Sequence, residues 1–340
     1  MPDTLPPPMD RNLAFELARV TEAAAMAAAR WMGKGDRNAA DAAAVQAMRF
    51  ALSAVDMDGI VVIGEGVKDE APMLYIGERV GNGMPPEVDV AVDPIDGTAL
   101  LANGQPNAIS AVAVAPRGSI YCPTEVVYME KIAVGPEARD IIDITAPVRT
   151  NLRNIARARK LPVSELTVAV LDRERHKPLI EEIRAAGARI MLLPHGDVAG
   201  ALMPALPEIG VDALMGIGGA PEAVLAACAL KCIGGGMQCR LWPRNDAERE
   251  ACRRAGLDLS RVLTLDDLVR GDDVFFSATG ITDGMLLRGV RYTERGARTS
   301  TLVMRSHSGT VRHIEAQHNF AKLLPFTGPL YGPPPGVEGD

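Results

Sequence analysis

The 340-residue sequence is short of cysteine, of basic charge and of long apolar runs, and each shortage removes a class of protein. Cysteine occurs five times, an odd number with no secretory context, so a disulfide framework is not expected. Cys228 and Cys232 stand four apart in a helix-like run, and Cys239 and Cys252 follow at spacings that match no zinc pattern; all four read as buried thiols. No stretch reaches the roughly 18 uninterrupted apolar residues that a membrane span needs. The opening MPDTLPPPMD lacks the basic start and apolar block of a secretory signal, so a cytoplasmic location is expected. A formal charge of −7 speaks against nucleic acid as a partner, because such binders need a basic face to displace counterions. If so acidic a chain handles an anion, something locally positive must meet it, and metal ions are the economical answer.

What remains is an ordinary globular composition, 47% hydrophobic and 23% charged. The length suggests two tightly joined halves, 1–160 of α+β type and 161–330 of α/β type. The Pro/Gly-rich tail 331–340 and the first ten residues are expected to be mobile.

Leu13, Leu17, Val20, Ala24, Met26 and Trp31 recur at helical intervals, and a second alanine-rich helix is expected from about Ala39 to Val55, capped by Asp36 or Asn38. Asp41 then lies in or near its first turn. GIVVI, Gly59 to Ile63, reads as a buried strand running into Gly64-Glu65-Gly66. A helix is expected over Ala71–Val80, with Pro72 in its first turn. Val88 to Val92 is a second buried strand, followed at once by Asp93-Pro94-Ile95-Asp96-Gly97-Thr98. Further strands over Ala108–Ala115 and Val126–Val134 come without helical spacers, so the first sheet should be mixed or mainly antiparallel. The second half alternates strand and helix from Leu166 onward, which implies a parallel sheet with helices on its faces, and Gly218-Gly219-Ala220-Pro221 leads into a helix from Glu222 to Leu230. Asp273 to His318 looks strand-rich.

DPIDGT carries the first chemical signal. Pro94 fixes one backbone angle, Gly97 permits a sharp reversal, and the three-residue spacing lets Asp93 and Asp96 converge. Two carboxylates so close repel unless a cation joins them, and hard oxygen ligands favour Mg²⁺ or Mn²⁺. Thr98 is near enough to hold an attacking water. The plain alternative is a surface turn shaped by Asp-Pro and Asp-Gly. Taken alone, Glu65 is equally a solvated loop residue, and Asp41 a charge complementing a helix start.

Read in order, the segments GKGDRNAADAAAVQAMR, DGIVVIGEGVKDEAPMLYIGERVG, VDVAVDPIDGT, YMEK, LPHGDVA, GIGGAPE and FSATGIT resemble the class II fructose-1,6-bisphosphatases, the GlpX type, over about 300 residues. The resemblance implies the layered α-β-α-β-α fold of the inositol-monophosphatase and sugar-phosphatase superfamily. It also implies Mg²⁺- or Mn²⁺-dependent removal of the 1-phosphate of fructose 1,6-bisphosphate, with two or more ions per site. On that basis the first half holds the metals and the second the substrate, and a homodimer or homotetramer is expected. By the same resemblance Asp41 and Glu65 match the ligands of one metal, and Asp93, Asp96 and Glu222 those of another. Thr98 matches the hydroxyl that orients the attacking water, with Asp41 and Glu65 also counted as catalytic. Substrate contacts fall on Asp96, Gly97, Thr98, Tyr128, Arg173, Arg175, His195, Asp197 and Gly219.

Several positions depart from the family pattern. Arg173 and Arg175 stand where a Lys and an Arg usually grip the distal phosphate, and Arg can hold it bidentately. His195 replaces an aspartate, exchanging two acceptors for a ring that donates or accepts through one nitrogen at a time. Arg37 replaces a frequent lysine, and Asp96 a frequent glutamate. His176, His307, His313 and His318 form no ligand spacing and read as surface or core residues. Sedoheptulose 1,7-bisphosphate is a second candidate substrate. The competing readings are a related phosphatase of inositol phosphate or a 3′-phosphonucleotide, a glycine-rich nucleotide-binding regulator suggested by GIGG and IGEG, and a catalytically dead scaffold. Neither glycine motif matches the dinucleotide fingerprint.

Overall fold

The computed structural model describes residues 13–64, 74–122 and 124–327. Both termini, the loop containing Glu65, Lys68, Asp69 and Glu70, and the start of the helix expected at Ala71 lie outside the described residues.

Helix α1 (Leu13–Ala29) is alanine-rich and buried almost all round, and α2 (Arg37–Leu52) starts at Asp36, whose carboxylate accepts the Ala39 N–H at 2.9 Å. Strands β1 (Asp58–Ile63), β2 (Arg79–Val80) and β3 (Glu87–Asp96) follow, then the short helix α3 (Thr98–Ala102), β4 (Ile109–Pro116) and β5 (Tyr128–Val134). Next come α4 (Val148–Arg159), β6 (Thr167–Leu171), α5 (Lys177–Ala186), β7 (Arg189–Leu193) and α6 (Asp197–Leu202). Strand β8 (Ala213–Gly219) runs directly into α7 (Ala220–Ile233), and β9 (Gly236–Trp242), α8 (Asp246–Arg254), β10 (Leu263–Thr264) and α9 (Leu265–Leu268) succeed it. The chain closes with β11 (Phe275–Gly280), β12 (Arg291–Thr293), β13 (Gly296–Arg305), β14 (Thr310–Asn319) and α10 (Phe320–Thr327).

The strands form two sheets. The first runs β12-β13-β11-β4-β3-β1-β2 with β14 paired to β13, and only its β1–β3 pair is parallel. The second runs β10-β9-β5-β8-β6-β7. Side-chain alternation along β4 explains the layering: Val112 and Val114 pack toward α1 and α2, while Ala111, Ala113 and Ala115 pack toward α6 and α7. Small residues on that second face let the alanine-rich α7 sit close between the sheets. Val168 and Val170 of β6 meet Leu152 and Ile155 of α4 and Ile180 and Ile183 of α5 on the outer face of the second sheet. The result is the expected α-β-α-β-α stack.

Three expectations are corrected. Residues 74–80 are not helical: Gly77 at φ +93° and Leu74 at φ +60° turn the chain, and β2 pairs antiparallel with β1. Glu78 holds this turn by accepting from Arg49 Nε at 2.5 Å and from the Leu74 N–H. The second sheet is mixed, since only β7, β6 and β8 are mutually parallel, while β5, β9 and β10 pair antiparallel. Sheet membership also crosses residue 160, because β5 joins the second sheet and β11 to β14 return to the first.

Candidate active site

The first four residues of DPIDGT end β3, where the pairing with β4 slips: Asp93 faces Ala111, yet Asp96 faces Ile109. One extra residue on β3 makes this a bulge. In an unbroken strand, positions three apart point to opposite faces; the bulge turns both aspartates to the same one. Pro94 sits within it, where no ladder N–H is required. Asp93 Oδ1 accepts the Ile95 N–H at 3.1 Å, and Gly97 at φ +96° ends the strand and opens α3. Thr98 Oγ1 then lies 3.1 Å from Asp41 Oδ1, to which it donates, and 3.3 Å from the Ile95 carbonyl. Burial raises the Asp41 carboxyl above its ordinary range, opposed by the Thr98 hydroxyl and by Arg37. Asp41 is the fifth residue of α2, next to its first turn as expected.

Asp96 is the anchor of the second half. Its two oxygens accept the N–H groups of Asp197, Val198 and Ala199, each at 3.1 Å, at the start of α6. Burial pushes its carboxyl up to about 7, the Asp197 and Glu222 charges push the same way, and the Ala199 and Asp197 amides oppose. Glu222, in the first turn of α7, is likewise raised by burial and by Asp197, with Lys131 opposing. Lys131 Nζ, on β5, donates to Asp197 Oδ2, and both groups are buried. The backbone presses on these acids: a Cβ at Gly219 would overlap the Glu222 carboxylate, and one at Gly218 the Asp197 carboxylate.

Arginines supply the opposite charge. Arg173 donates through Nη1 to the carbonyls of Asp172 (2.7 Å) and Pro194 (2.8 Å), and Nη2 lies 3.0 Å from His195 Nδ1. A guanidinium only donates, so Nδ1 accepts and His195 is neutral with its proton on Nε2. Burial lowers the His195 pKa, and the charges of Arg173 and Arg37 lower it further. Arg175 donates to the Ile217 carbonyl from Nη2 (2.8 Å) and Nε (3.3 Å), and its guanidinium lies 4.7 Å over the Tyr128 ring. Trp242 meets that ring edge-on at 6.2 Å.

A cavity of about 520 Å³ gathers these groups. Asp93, Asp96, Asp197 and Glu222 line it, together with Arg37, Arg173, Arg175, His195, Tyr128, Gly97, Thr98 and Gly219. Asp41 reaches it through Thr98. A smaller cavity of about 170 Å³ shares Asp93 and Glu222 with it and is bounded by Gly64, the residue before Glu65. Among the described residues no three Asp, Glu, His or Cys side chains already stand in a metal-holding cluster, and Glu65 lies outside them.

The family model for bacterial fructose-1,6-bisphosphatase, glpX-encoded, matches residues 11–318. The chain belongs to this family. A protein named fructose-1,6-bisphosphatase class 2 from Haemophilus influenzae is 47% identical over 323 residues, covering 91% of this chain and 97% of its own. Fructose-1,6-bisphosphatase 1 class 2 of Escherichia coli is 46% identical over the same length, covering 96% of its own chain.

For a member of this family, the donor chemistry suits a divalent cation. Asp96 and Glu222 both hold raised pKa values because they are buried and face further negative charge, which a cation among them would offset. Asp93 and Glu222 line both cavities, so hard oxygen donors border the space on either side. Three residues that do not line the cavity contact those that do or the strand that holds them. Lys131 lies in the quoted YMEK but was hidden by the general rule that lysines face water. His176, expected at the surface or in the core, is a core residue; its Nδ1 donates to the Leu171 carbonyl at 2.6 Å and its Nε2 accepts the Ile217 N–H at 2.8 Å. It thereby fixes the strand that holds Arg175. Arg244 lies 5.8 Å from the Tyr128 ring centre and carries no local signal in the sequence.

Proposed function

We infer that this chain is a phosphoric monoester hydrolase that removes the 1-phosphate of fructose 1,6-bisphosphate, giving fructose 6-phosphate and inorganic phosphate. Sedoheptulose 1,7-bisphosphate, alike around the reacting phosphate, is proposed as a second substrate. The observation that carries the reading is the meeting, in one cavity, of a carboxylate group able to hold cations with three arginines able to hold phosphate. Asp41, Glu65, Asp93, Asp96 and Glu222 would hold two or more Mg²⁺ or Mn²⁺ ions, which when bound neutralise phosphate charge and acidify water.

The remaining steps belong to the protein's own groups. Thr98 donates a hydrogen bond to Asp41, leaving its oxygen lone pairs free to accept from the attacking water and aim it. Asp41, with a pKa raised by burial, is placed to take that water's proton, with Glu65 as its partner. Arg173, Arg175 and Arg37 bind phosphate oxygens, Tyr128 forms a wall, and Gly97 and Gly219 let the substrate approach the backbone. His195, presenting Nε2–H where relatives commonly have an aspartate, offers a donor. The division into a metal-binding half before residue 160 and a substrate-binding half after it is kept as a functional one. A cytoplasmic homodimer or homotetramer is the proposed working form; among the described residues no helix is long and apolar enough to cross a membrane.

The test is release of inorganic phosphate by purified protein from each bisphosphate, with and without added Mg²⁺ or Mn²⁺. Cation-dependent release from the fructose ester is expected. No release from either ester, in the presence of both cations, would reject the assignment.

A further inference from the structure

Among the described residues, one side-chain oxygen of the residues lining the cavity is buried without a hydrogen-bond partner. Asp197 Oδ1 is buried and has no hydrogen-bond partner, although Asp197 as a whole is only 6% exposed. Leaving such an oxygen bare is costly, so it is expected to have a partner in the working state. The other oxygen of the same carboxylate is taken by Lys131 Nζ, whose side chain is 1% exposed. The pair is wedged by backbone, since a Cβ at Gly218 would overlap Asp197 Oδ2 and approach Lys131 Nζ to 2.8 Å. Lys131 therefore fixes which oxygen is left to accept.

The chemistry of the missing partner follows from the charge already present. Paired with an ammonium, Asp197 has only acceptors to offer, so its partner must donate. A second cation is disfavoured by the ammonium on the same carboxylate. A phosphate oxygen is excluded because it would meet an anion. A neutral donor remains, and in the bisphosphate reading those that the substrate supplies are its sugar hydroxyls.

We propose that Lys131 is a positioning residue for sugar recognition: it clamps Asp197 Oδ2 so that Oδ1 stands ready to accept a hydroxyl of the substrate's sugar. The ammonium also offsets one of three neighbouring carboxylates, Asp96, Asp197 and Glu222, which lets them share the cavity. Lys131 touches no reacting atom. The proposal deepens the bisphosphatase reading and rests on it.

The test combines Lys131→Met, Asp197→Asn and the double variant in phosphate release from fructose 1,6-bisphosphate, with calorimetric binding of fructose 6-phosphate and of inorganic phosphate to the cation-free protein. Lys131→Met should raise KM by about tenfold to a hundredfold, with a smaller change in kcat, the scale of one hydrogen bond to a charged group. It should weaken fructose 6-phosphate binding by a similar factor and leave inorganic phosphate binding unchanged. The double variant should be no worse than Asp197→Asn alone, because the lysine has nothing left to position. Lys131→Met leaves a buried carboxylate without its counterion, and if it fails to fold, the double variant, which buries no lone charge, carries the comparison. A KM within threefold of wild type, equal loss of sugar-phosphate and inorganic phosphate binding, or additive effects in the double variant would each overturn the role. If wild-type protein released no phosphate from the ester, the bisphosphatase reading would fall instead, which a separate control shows.

Discussion

Replacing Gly219 by alanine asks how finely Glu222 must be placed. Gly219 has φ −60° and ψ 141°, a conformation open to any residue, so the backbone itself does not resist the change. The obstacle is the carboxylate: the added methyl would overlap Glu222 Oε2 and stand 2.7 Å from Oε1. Non-bonded carbon and oxygen rest about 3.5 Å apart, so the carboxylate must retreat by on the order of 1 Å. A displacement of that size in a catalytic array costs about a hundredfold in rate, or ~2.7 kcal/mol of transition-state stabilisation. Folding should be little affected, because removing a glycine from the unfolded chain favours the native state by about 0.4–1 kcal/mol and partly offsets the strain. The assay is cation-dependent phosphate release from fructose 1,6-bisphosphate, read as kcat/KM beside the melting temperature. Gly219→Ala with kcat/KM within threefold of wild type and an unchanged melting temperature would show that Glu222 need not occupy this position, and the placement of the cation ligands would be wrong.

Asp93→Asn should abolish turnover while the circular dichroism spectrum and melting temperature stay near wild type; retained turnover would remove Asp93 from the ligand set. Thr98→Val deletes the hydroxyl that donates to Asp41 and should lower kcat about tenfold to a hundredfold, whereas Thr98→Ser should keep most of the activity. Equal loss in both would assign the residue to packing. Far from the cavity, Glu22 is buried in α1, accepts from Thr299 (3.2 Å) and Thr301 (3.4 Å), and has its pKa raised chiefly by burial. A raised carboxyl favours the folded state at low pH and loses that advantage as pH climbs through the folded value. Glu22→Gln should therefore match wild type in stability below the ordinary carboxylate range and exceed it progressively toward neutral pH. Denaturant melts across that range decide it, and a difference that does not grow with pH refutes the argument. His318, whose Nε2 is 4.0 Å from Glu22 and whose pKa burial lowers, does not reverse the sign, because it is neutral at the upper end.

Much of the molecule was legible from residue order alone. Local rules act within a few residues, and so the alanine-rich α1 and α2, the β1 and β3 strands, and the Pro221-led α7 follow from composition, period and caps. The ordered run of segments placed the chain in its family, and DPIDGT marked two aspartates meant to meet. Where two rules competed locally, the sequence misled: residues 74–80 carry a helical pattern, but the left-handed Gly77 and Leu74 and the grip of Glu78 make them a turn that leads into the two-residue β2. Strand partnership was out of reach because β5 and β11 choose sheets by which faces they bury, a property of the assembled layers. The same holds for the site. Sequence spacing brought Asp93 and Asp96 near each other, but a one-residue bulge against β4 put them on one face. Only the packing of α6 against β3 gave Asp96 three amide donors, and only the burial of β5 turned an ordinary lysine, Lys131, into the counterion of Asp197. A side chain's chemistry is written in the sequence; its solvent, its charge neighbours and its direction are set when distant segments exclude water together.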